Sequence, residues 1–447
     1  MIMKQVAVII LTAGRGTRMK SALPKVMHKL AGRPMINYLL DSVKALNPDR
    51  VIVIVGQDME IVKTTVSPYE TVVQIERLGT GHAVSTARAS LANFNGTILI
   101  LHGDTPLIGL NNLKAILDRS SDLAIVVLGF RSDNIGRYGR LLINSSGKLE
   151  SIVEFNDATD EQRAINLCNS GVIAVDAIHL WKLIDKLSNN NSSGEFYLTD
   201  IISLAHKDGL ICDFIEASRD ELLGINSMAE LAISENILQN RMRLSNMENG
   251  VMLIDPTSIY FSWDTQLGQN VIIGPNVVFG PGVSVGDNCK IEAFCHLEGA
   301  SIASNSTIGP FARLRPNVII GNDVCIGNFV EIKNSTIESG TKINHLTYIG
   351  DSQVGSKVNI GAGTITCNYN GLAKFLTKID NGAFIGSNSS LIAPVKIGKG
   401  SIVGAGSVIT KDVSAGSLAI TRGEQKELSD WANHFFNIDK KSTKEDK

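Results

Sequence analysis

Two rhythms of hydrophobic residues divide the chain. In the first half, short apolar runs alternate with stretches of helical spacing. VAVIIL (6–11), VIVIVG (51–56), TILILHGD (97–104), LAIVVLGF (123–130) and SGVIAVD (170–176) are dominated by aliphatic residues, as strands covered on both faces are. Residues 34–45 and 110–119 instead space their apolar positions three and four apart, which predicts amphipathic helices. Strand and helix in repeated succession predict an α/β domain with an open, mainly parallel sheet, whose ligands bind beyond the carboxyl ends of the strands.

In the second half the period is six. Ile273, Phe279, Val285, Ile291 and Leu297 keep it, as do Ile302, Ile308, Leu314, Ile320, Ile326 and Ile332, and again Ile379, Ile385, Leu391, Ile397, Val403 and Ile409. Glycine often follows, as at Gly274, Gly280, Gly286, Gly361 and Gly386. No α-helix has this period. It predicts a parallel β-helix in which each hexapeptide is one strand and a turn, with the aliphatic residue inside and glycine permitting the turn. The pattern breaks after Ile360 and resumes at Ile379, so CNYNGLAKFLTK (367–378) reads as an inserted loop. Between the halves, residues 227–249 predict one helix with a capping box from Ser227 and Glu230 and a stop at Gly250. It reads as a connector of roughly 30 Å. The expected division is residues 1–226, a helical linker 227–249, and 250–447 ending in a polar tail that forms a short helix and then disorder.

Composition narrows the possibilities. A chain of 447 residues is too long for one ordinary core. A formal charge of −2 argues against a broad basic face for nucleic acid. The six cysteines form no CxxC pair, which fits reduced thiols in a cytoplasmic protein better than a disulfide framework or zinc site. The amino terminus lacks the basic, apolar, small-residue order of a secretory signal. No apolar run approaches the roughly 20 residues of a membrane span, so no membrane partner is expected.

Chemistry enters at LTAGRGTRMKSALPK (11–25). Ala13, Gly14 and Gly16 leave backbone N–H groups open to an anion, Arg18 and Lys25 add positive charge, and no acid precedes Asp41. The spacing is neither GxGxxG nor GxxxxGK[ST]. On these residues alone, a phosphate cradle and a plain strand–loop–helix turn both stand. Asp104, in Asp-Thr-Pro, reads equally as a turn cap or a metal ligand. His345 taken singly reads as a structural or surface histidine, and the insertion as the ordinary fate of a loop in a repeat protein.

The stretch 11–25 resembles the LxxGxGTRM…PK signature of the sugar-1-phosphate nucleotidyltransferases. With the six-residue coil, the resemblance extends over nearly the whole chain to the bifunctional bacterial enzymes that make UDP-N-acetylglucosamine. It is carried by QIERLGTGHA (74–83), LHGDTPLI (101–108), YGR (138–140), IVEFNDATDEQ (152–162), GEFYLTDII (194–202), IGPFARLRP (308–316), GNFVEIKN (327–334), NHLTYIGD (344–351) and VNIGAGTITCNYNG (358–371).

The resemblance implies a Rossmann-like uridylyltransferase domain followed by a left-handed β-helix with glucosamine-1-phosphate N-acetyltransferase activity. Leu11, Ala13 and Gly14 would line the nucleotide pocket. Gln74, Gly79 and Thr80 would meet uracil, where a side-chain amide can pair with both donor and acceptor edges of the base. Lys25 and Arg18 would act on the phosphates, and Asp104, beside Gly103, and Asn226 would hold Mg²⁺, which takes few protein oxygens and keeps phosphate and water. Gly139, Glu154 and Asn169 would hold the sugar, with Tyr197 and Thr199 nearby. In the coil, His345 would be the base, with Glu331 orienting it. Arg315, Lys333, Tyr348 and Asn359 would bind glucosamine 1-phosphate, and Ala362, Asn368, Tyr369, Ser387, Ala405 and Arg422 would bind acetyl-coenzyme A. Ser387 would donate to the thioester oxygen. The implied substrates are UTP, acetyl-coenzyme A, glucosamine 1-phosphate and N-acetylglucosamine 1-phosphate, and the implied assembly is a homotrimer. Thr12, His102 and Arg137 depart from the usual alanine, tyrosine and glycine at the rim of the nucleotide pocket, and His102 is counted among the substrate-binding residues. Two rivals remain: a single-activity sugar-1-phosphate nucleotidyltransferase with a structural β-helix, against which CNYNG and His345 speak, and a non-catalytic assembly subunit, against which Arg18, Lys25, Asp104 and Asn226 speak.

Overall fold

A computed structural model describes residues 5–133 and 136–442, and the chain divides into two compact units. The first runs to Ser245 and includes Phe261–Trp263; the second takes Asn246–Tyr260 and the chain from Asp264 onward.

The first unit is built on strands β1 (Gln5–Leu11), β2 (Arg50–Gly56), β3 (Glu70–Gln74), β4 (Gly96–His102), β5 (Ile125–Arg131), β6 (Leu167–Asp176) and β7 (Cys212–Glu216). Their order is β7-β5-β6-β4-β1-β2-β3. All neighbours are parallel except β6, which is antiparallel to β4 and β5. A hairpin, Arg140–Ile143 with Leu149–Val153, branches from β6. The apolar runs are continuous because both faces are covered: Val8 and Ile10 enter one core, Ala7 and Ile9 the other, all fully buried. Because β1 lies between β4 and β2, strands are added first on one side of it and then on the other, and the crevice at its carboxyl end is where such sheets bind ligands.

Helix α1 (Met228–Glu248) is more than a connector. Leu238 joins the first unit's core, and Leu231, Ile237 and Met242 pack against it. The Gln239 amide clamps the Phe261 backbone, donating to its carbonyl at 2.7 Å and accepting from its N–H at 2.9 Å. Glu235 accepts from the Ala31 N–H at 2.7 Å.

The second unit consists of three parallel sheets of 10, 8 and 8 strands. The six-residue positions stack directly: Ile273, Ile291, Ile308, Ile326, Ile343 and Ile360 are consecutive partners on one face. Val285, Ile302, Ile320, Ile337 and Val354 are partners on a second, and Phe279, Leu297, Leu314, Ile332 and Ile349 on the third. All are buried, each contributing about 1.5–3 kcal/mol of apolar burial.

Two details differ from expectation. The left-handed turn positions mostly fall elsewhere than on the glycines that follow interior positions: asparagines such as Asn270, Asn276, Asn288 and Asn305 hold some, and other glycines such as Gly282, Gly340 and Gly400 hold others. The glycine after an interior position is needed for another reason: a Cβ on Gly274 would stand 2.6 Å from the Ala293 nitrogen, and one on Gly386 2.4 Å from that of Ala405. Successive coils approach too closely there for a side chain. The hexad also continues one step past Ile360. Thr366 fills the interior position, buried and paired with Leu391, and its hydroxyl accepts from the Gly350 N–H at 2.8 Å. The excursion therefore lies between Cys367 and Thr377.

The carboxyl-terminal helix spans Trp431–Ser442, and the end of the tail expected to be disordered lies outside the described residues. Among the described residues no helix is long and apolar enough to cross a membrane.

Candidate functional site

Each unit carries a cluster of charged and small residues. In the first, a cleft of about 250 Å³ opens at the carboxyl ends of β1 and β4. Leu11, Ala13, Gly14, Lys25, Gln74, Gly79, Thr80, His102 and Asp104 line it, joined by Thr12, Arg77 and Glu195. Gly103 closes the floor: its N–H donates to the Leu11 carbonyl at 3.0 Å, and a Cβ would meet Thr12 Cγ2 at 2.8 Å. A Cβ on Gly14 would have no neighbour within 4 Å and would stand in open space at the cleft. Gly16, at φ 64°, lets the loop close onto Lys25.

Lys25 Nζ donates to Asp104 Oδ2 and, at 3.0 Å, to Asn226 Oδ1. Arg18 Nη2 donates to the same amide oxygen at 2.9 Å. Glu230 caps α1 and holds Asn226 at once: it accepts from the Asn226 N–H at 2.7 Å while its own N–H donates to Ser227 Oγ at 3.2 Å. Burial would raise the Asp104 carboxyl, but the charges of Lys25 and His102 and the Lys25 hydrogen bond hold it below the usual carboxylate range. Burial pulls the His102 imidazole below its ordinary value, with Lys25 acting in the same direction and Asp104 against it. Among the described residues no group of three or more His, Cys, Asp or Glu gathers to hold a metal. Instead one carboxylate and one amide oxygen converge on a single ammonium. Two hard oxygens fit a divalent cation that keeps phosphate and water as its other ligands.

The far end of the cleft is a loop stitched to residues 196–198. Phe196 N–H donates to the Leu78 carbonyl and Gly81 N–H to the Phe196 carbonyl, both at 2.8 Å, and Leu198 N–H donates to Thr80 Oγ1 at 3.0 Å. Gln74, buried at the end of β3, directs Nε2 to the Gly79 carbonyl at 3.2 Å and to His82 Nδ1 at 3.1 Å. Both amide hydrogens are thus committed, and the oxygen takes no hydrogen bond from the described residues. Arg77 ties this end to the opening loop, donating to the Ala13 carbonyl at 2.7 Å and pairing with Asp58 at 2.7 Å.

Gly139, Glu154, Asn169 and Thr199 form a contiguous group. Asn169 N–H donates to the Gly139 carbonyl at 2.8 Å, a Cβ on Gly139 would lie 3.5 Å from Glu154 Oε2, and Thr199 Oγ1 donates to Glu154 Oε1 at 2.9 Å. His102 borders it, 2.7 Å from where a Cβ on Gly171 would stand. Burial raises the Glu154 carboxyl above its ordinary value; the Thr199 hydrogen bond opposes this, while Asp200, Asp157 and Glu195 add to it. Tyr197 turns to Ser193, 2.6 Å away. Of the three departures, the Thr12 hydroxyl is satisfied by the Ile54 carbonyl at 2.7 Å, His102 lines the cleft, and Arg137 lies 5.7 Å over the Phe155 ring.

In the second unit the coil register sets the neighbours. Glu331 pairs with Tyr348, Lys333 with Gly350, Asn328 with His345 and Lys342 with Asn359. Arg315 forms an ion pair with Glu331 at 2.9 Å. The ring of the exposed His345 is held through Nδ1 by Asn328 Oδ1 at 2.8 Å, while Glu331 pairs with Arg315. With the proton on Nδ1, Nε2 keeps its lone pair. Asp351 gathers the next group: it accepts from Asn334 at 2.6 Å and from Asn368, and Lys333 stands 3.8 Å away. Lys374, from the insertion, lies beside Lys333, whose like charge pushes it below its ordinary value. A Cβ on Gly350 would lie 2.4 Å from Tyr348 Oη and 2.8 Å from Asn368 Nδ2, so the bare glycine lets both groups cross over it.

Ala362, Ser387 and Ala405 occupy one corner of successive coils. Asn388 N–H donates to the Ala362 carbonyl and Gly406 N–H to that of Ser387, both at 2.8 Å, and Arg422 donates to the Ala405 carbonyl at 2.7 Å. Asn368 joins the Asp351 group instead, and Tyr369 donates to the Gly371 carbonyl at 2.6 Å near the exposed tip of the insertion.

Sequence reading passed over Arg77, His82, Asn328 and Lys374. Asn328 had a signal, since it lies 17 residues before His345, one coil below it. For Lys374 no repeat position existed to suggest it.

Comparison with known proteins accords with this division. Residues 8–170 match the MobA-like NTP transferase domain, residues 264–299 and 376–411 the bacterial transferase hexapeptide repeats, and residues 300–373 the GMPPB C-terminal domain. A protein of Paramagnetospirillum magneticum named "Bifunctional protein GlmU" is 56% identical over 438 residues, 97% of each chain. Proteins of the same name from Rhodospirillum rubrum, 55% identical over 97% of this chain and 98% of theirs, and Zymomonas mobilis, 47% identical over 98% and 99%, are similar along their whole length.

Proposed function

The chain belongs to the family of bifunctional GlmU proteins, and from that premise we propose how its two sites make UDP-N-acetylglucosamine. It is a bifunctional transferase, with uridylyl transfer in the first unit and acetyl transfer in the second. The division of labour is residues 1–226 for the nucleotide and 250–447 for the acetyl group, with α1 between them.

In acetyl transfer, the amine of glucosamine 1-phosphate attacks the thioester carbon of acetyl-coenzyme A. A C–N bond forms, the C–S bond breaks, and coenzyme A leaves as its thiol. His345 Nε2 takes the amine proton, which serves the leaving sulfur; the Asn328 contact holds the ring for that task. Ser387 donates to the thioester oxygen as it gains charge. Arg315, Lys333 and Lys374 receive the sugar phosphate, and Tyr348 and Asn359 border the sugar. Ala362, Ala405 and Arg422 provide a low-walled track for the pantetheine arm, with Asn368 and Tyr369 at its insertion end.

In uridylyl transfer, the phosphate oxygen of N-acetylglucosamine 1-phosphate attacks the α-phosphorus of UTP, and pyrophosphate leaves. That oxygen is already a nucleophile, so no base is required. The chain aligns the reactants and neutralises charge with Lys25 and Arg18. Asp104 and Asn226 would hold Mg²⁺, which would supply further charge neutralisation. Glu154, Asn169 and Gly139 face the sugar.

The observation that favours two activities over a nucleotidyltransferase with an inert coil is the His345–Asn328 pair on the same stretch of coil as the cluster of Lys333, Asn368 and Asp351. An inert coil needs neither. A homotrimer sharing the acetyl-transfer sites is supported by three exposed, stacked rings on successive coils, Phe294, Phe311 and Phe329, with centroids 4.8 and 5.2 Å apart. Six cysteines without a disulfide suit a cytoplasmic setting. Pyrophosphate release from UTP and N-acetylglucosamine 1-phosphate, and thiol release from acetyl-coenzyme A and glucosamine 1-phosphate, test the two halves separately. His345→Ala should abolish thiol release and spare pyrophosphate release, and Asp104→Ala the reverse. Equal loss of both in either variant refutes the two-site scheme.

A further inference from the structure

We propose that His82 is a positioning residue that sets the base preference of the nucleotide cleft by locking the orientation of the Gln74 amide. The argument rests on the reading that this cleft holds UTP with its base at Gln74.

The Gly79 carbonyl has no hydrogen to give, so the Gln74 atom 3.2 Å from it must be the amide nitrogen. The second amide hydrogen then points to His82 Nδ1 at 3.1 Å, which makes Nδ1 the acceptor and places the ring proton on Nε2. With both hydrogens taken, Gln74 presents Oε1 alone. That oxygen receives no hydrogen bond from the described residues, and Gln74 lines the cleft.

An acceptor fixed at this place accepts a base whose edge carries N3–H, which is uracil or thymine. Cytosine brings a lone pair at N3 and meets Oε1 with like polarity. Specificity of this kind works mainly by penalising the wrong base. Turning the amide over would set Oε1 against the Gly79 carbonyl, and against His82 Nδ1 as long as the ring proton stays on Nε2. The two acceptors together hold one orientation. Without His82 a single bond remains, and the turned amide, which suits cytosine, becomes populated.

The test uses the full-length protein with Mg²⁺ and N-acetylglucosamine 1-phosphate, comparing kcat/KM for UTP and CTP from pyrophosphate release. Equilibrium binding of the two nucleotides gives the same ratio without turnover, and calorimetric unfolding of the first unit reports that each sample is folded. His82→Phe should lower the UTP:CTP ratio roughly three- to tenfold, the worth of one neutral hydrogen bond. His82→Asn, which returns an acceptor oxygen at the same reach, should restore most of it. A wild-type ratio in His82→Phe, or equal relaxation in His82→Asn, overturns the inference alone. No UTP turnover by the wild type, or an unchanged ratio in Gln74→Ala, overturns the underlying assignment of the cleft and this inference with it.

Discussion

Replacing Gly79 by alanine tests the nucleotide cleft at the point where its backbone has least freedom. Gly79 lies at φ 111° and ψ 178°, a region essentially closed to other residues, so alanine costs about 1–3 kcal/mol there. The added methyl would stand 2.6 Å from the Phe196 carbonyl oxygen and 2.8 Å from the Phe196 nitrogen. Both atoms are already committed, the nitrogen to the Leu78 carbonyl and the oxygen to the Gly81 N–H, each at 2.8 Å. The clash cannot be relieved by rotating a side chain, because the neighbours are backbone. Relief requires residues 78–81 to move away from Phe196, losing its two backbone hydrogen bonds, worth about 1 kcal/mol each. The total is about 3–5 kcal/mol. Since the loop is at the sheet edge, movement is the cheaper outlet, and it takes the Gly79 carbonyl away from Gln74. The expected result is a rise of roughly a hundredfold in KM for UTP, equivalent to about 2.7 kcal/mol, with the remainder appearing as a lower unfolding temperature of the first unit. Thiol release should be unaffected. Steady-state pyrophosphate assays and calorimetry of the same preparation read both quantities. Unchanged UTP kinetics together with an unchanged unfolding temperature would refute the reasoning.

Two further outcomes follow from the charged clusters. Asn328→Ala should lower the rate of thiol release about ten- to hundredfold by freeing the His345 ring, part of the 10²–10⁴ that a positioned base supplies; Glu331→Gln, which disturbs Arg315, should act chiefly on KM for glucosamine 1-phosphate, and the reverse pattern would restore Glu331 as the orienting group. Glu154, raised by burial and by Asp200, Asp157 and Glu195 against the Thr199 bond, takes up a proton at higher pH than an ordinary glutamate. KM for N-acetylglucosamine 1-phosphate should therefore rise as the pH is lowered through the weakly acidic range, while the same proton, bound more tightly in the folded chain, adds to stability in that window and is lost as pH rises; Glu154→Gln should flatten the KM profile.

Much of the architecture was legible because burial leaves a simple trace. β1 and β4 are covered on both faces and read as unbroken aliphatic runs, and the coil repeats a buried position every six residues. β3 and β7 escaped because edge strands carry polar residues, as ETVVQ and CDFIE do. Thr366 escaped because a buried hydroxyl with a backbone partner fills an interior position without looking hydrophobic. The glycines after the interior positions were read as turn residues, but what excludes a side chain there is the next coil, a constraint between segments that a local rule about φ does not express.

The sites divide along the same line. In the coil, contacts recur at a fixed separation, so Asn328 and His345, 17 residues apart, follow from the repeat once its pitch is known. In the sheet, Lys25 meets Asp104 and Asn226 across 79 and 201 residues. Those separations depend on strand order, and no local pattern states strand order; only the resemblance grouped those three residues before the fold did. The Lys374–Lys333 contact is harder still, because the insertion obeys neither rule. Its backbone is held by its own turns, Asn370 Oδ1 accepting from the N–H groups of Leu372 and Ala373 at 2.9 and 2.8 Å, and it returns to the coil through Asn368 on Asp351. An excursion that supplies no rung of the coil can change length or sequence without disturbing the ladder beneath it. It is therefore the part of the second site most free to vary, and it carries one of the two ammonium groups that would meet the sugar phosphate.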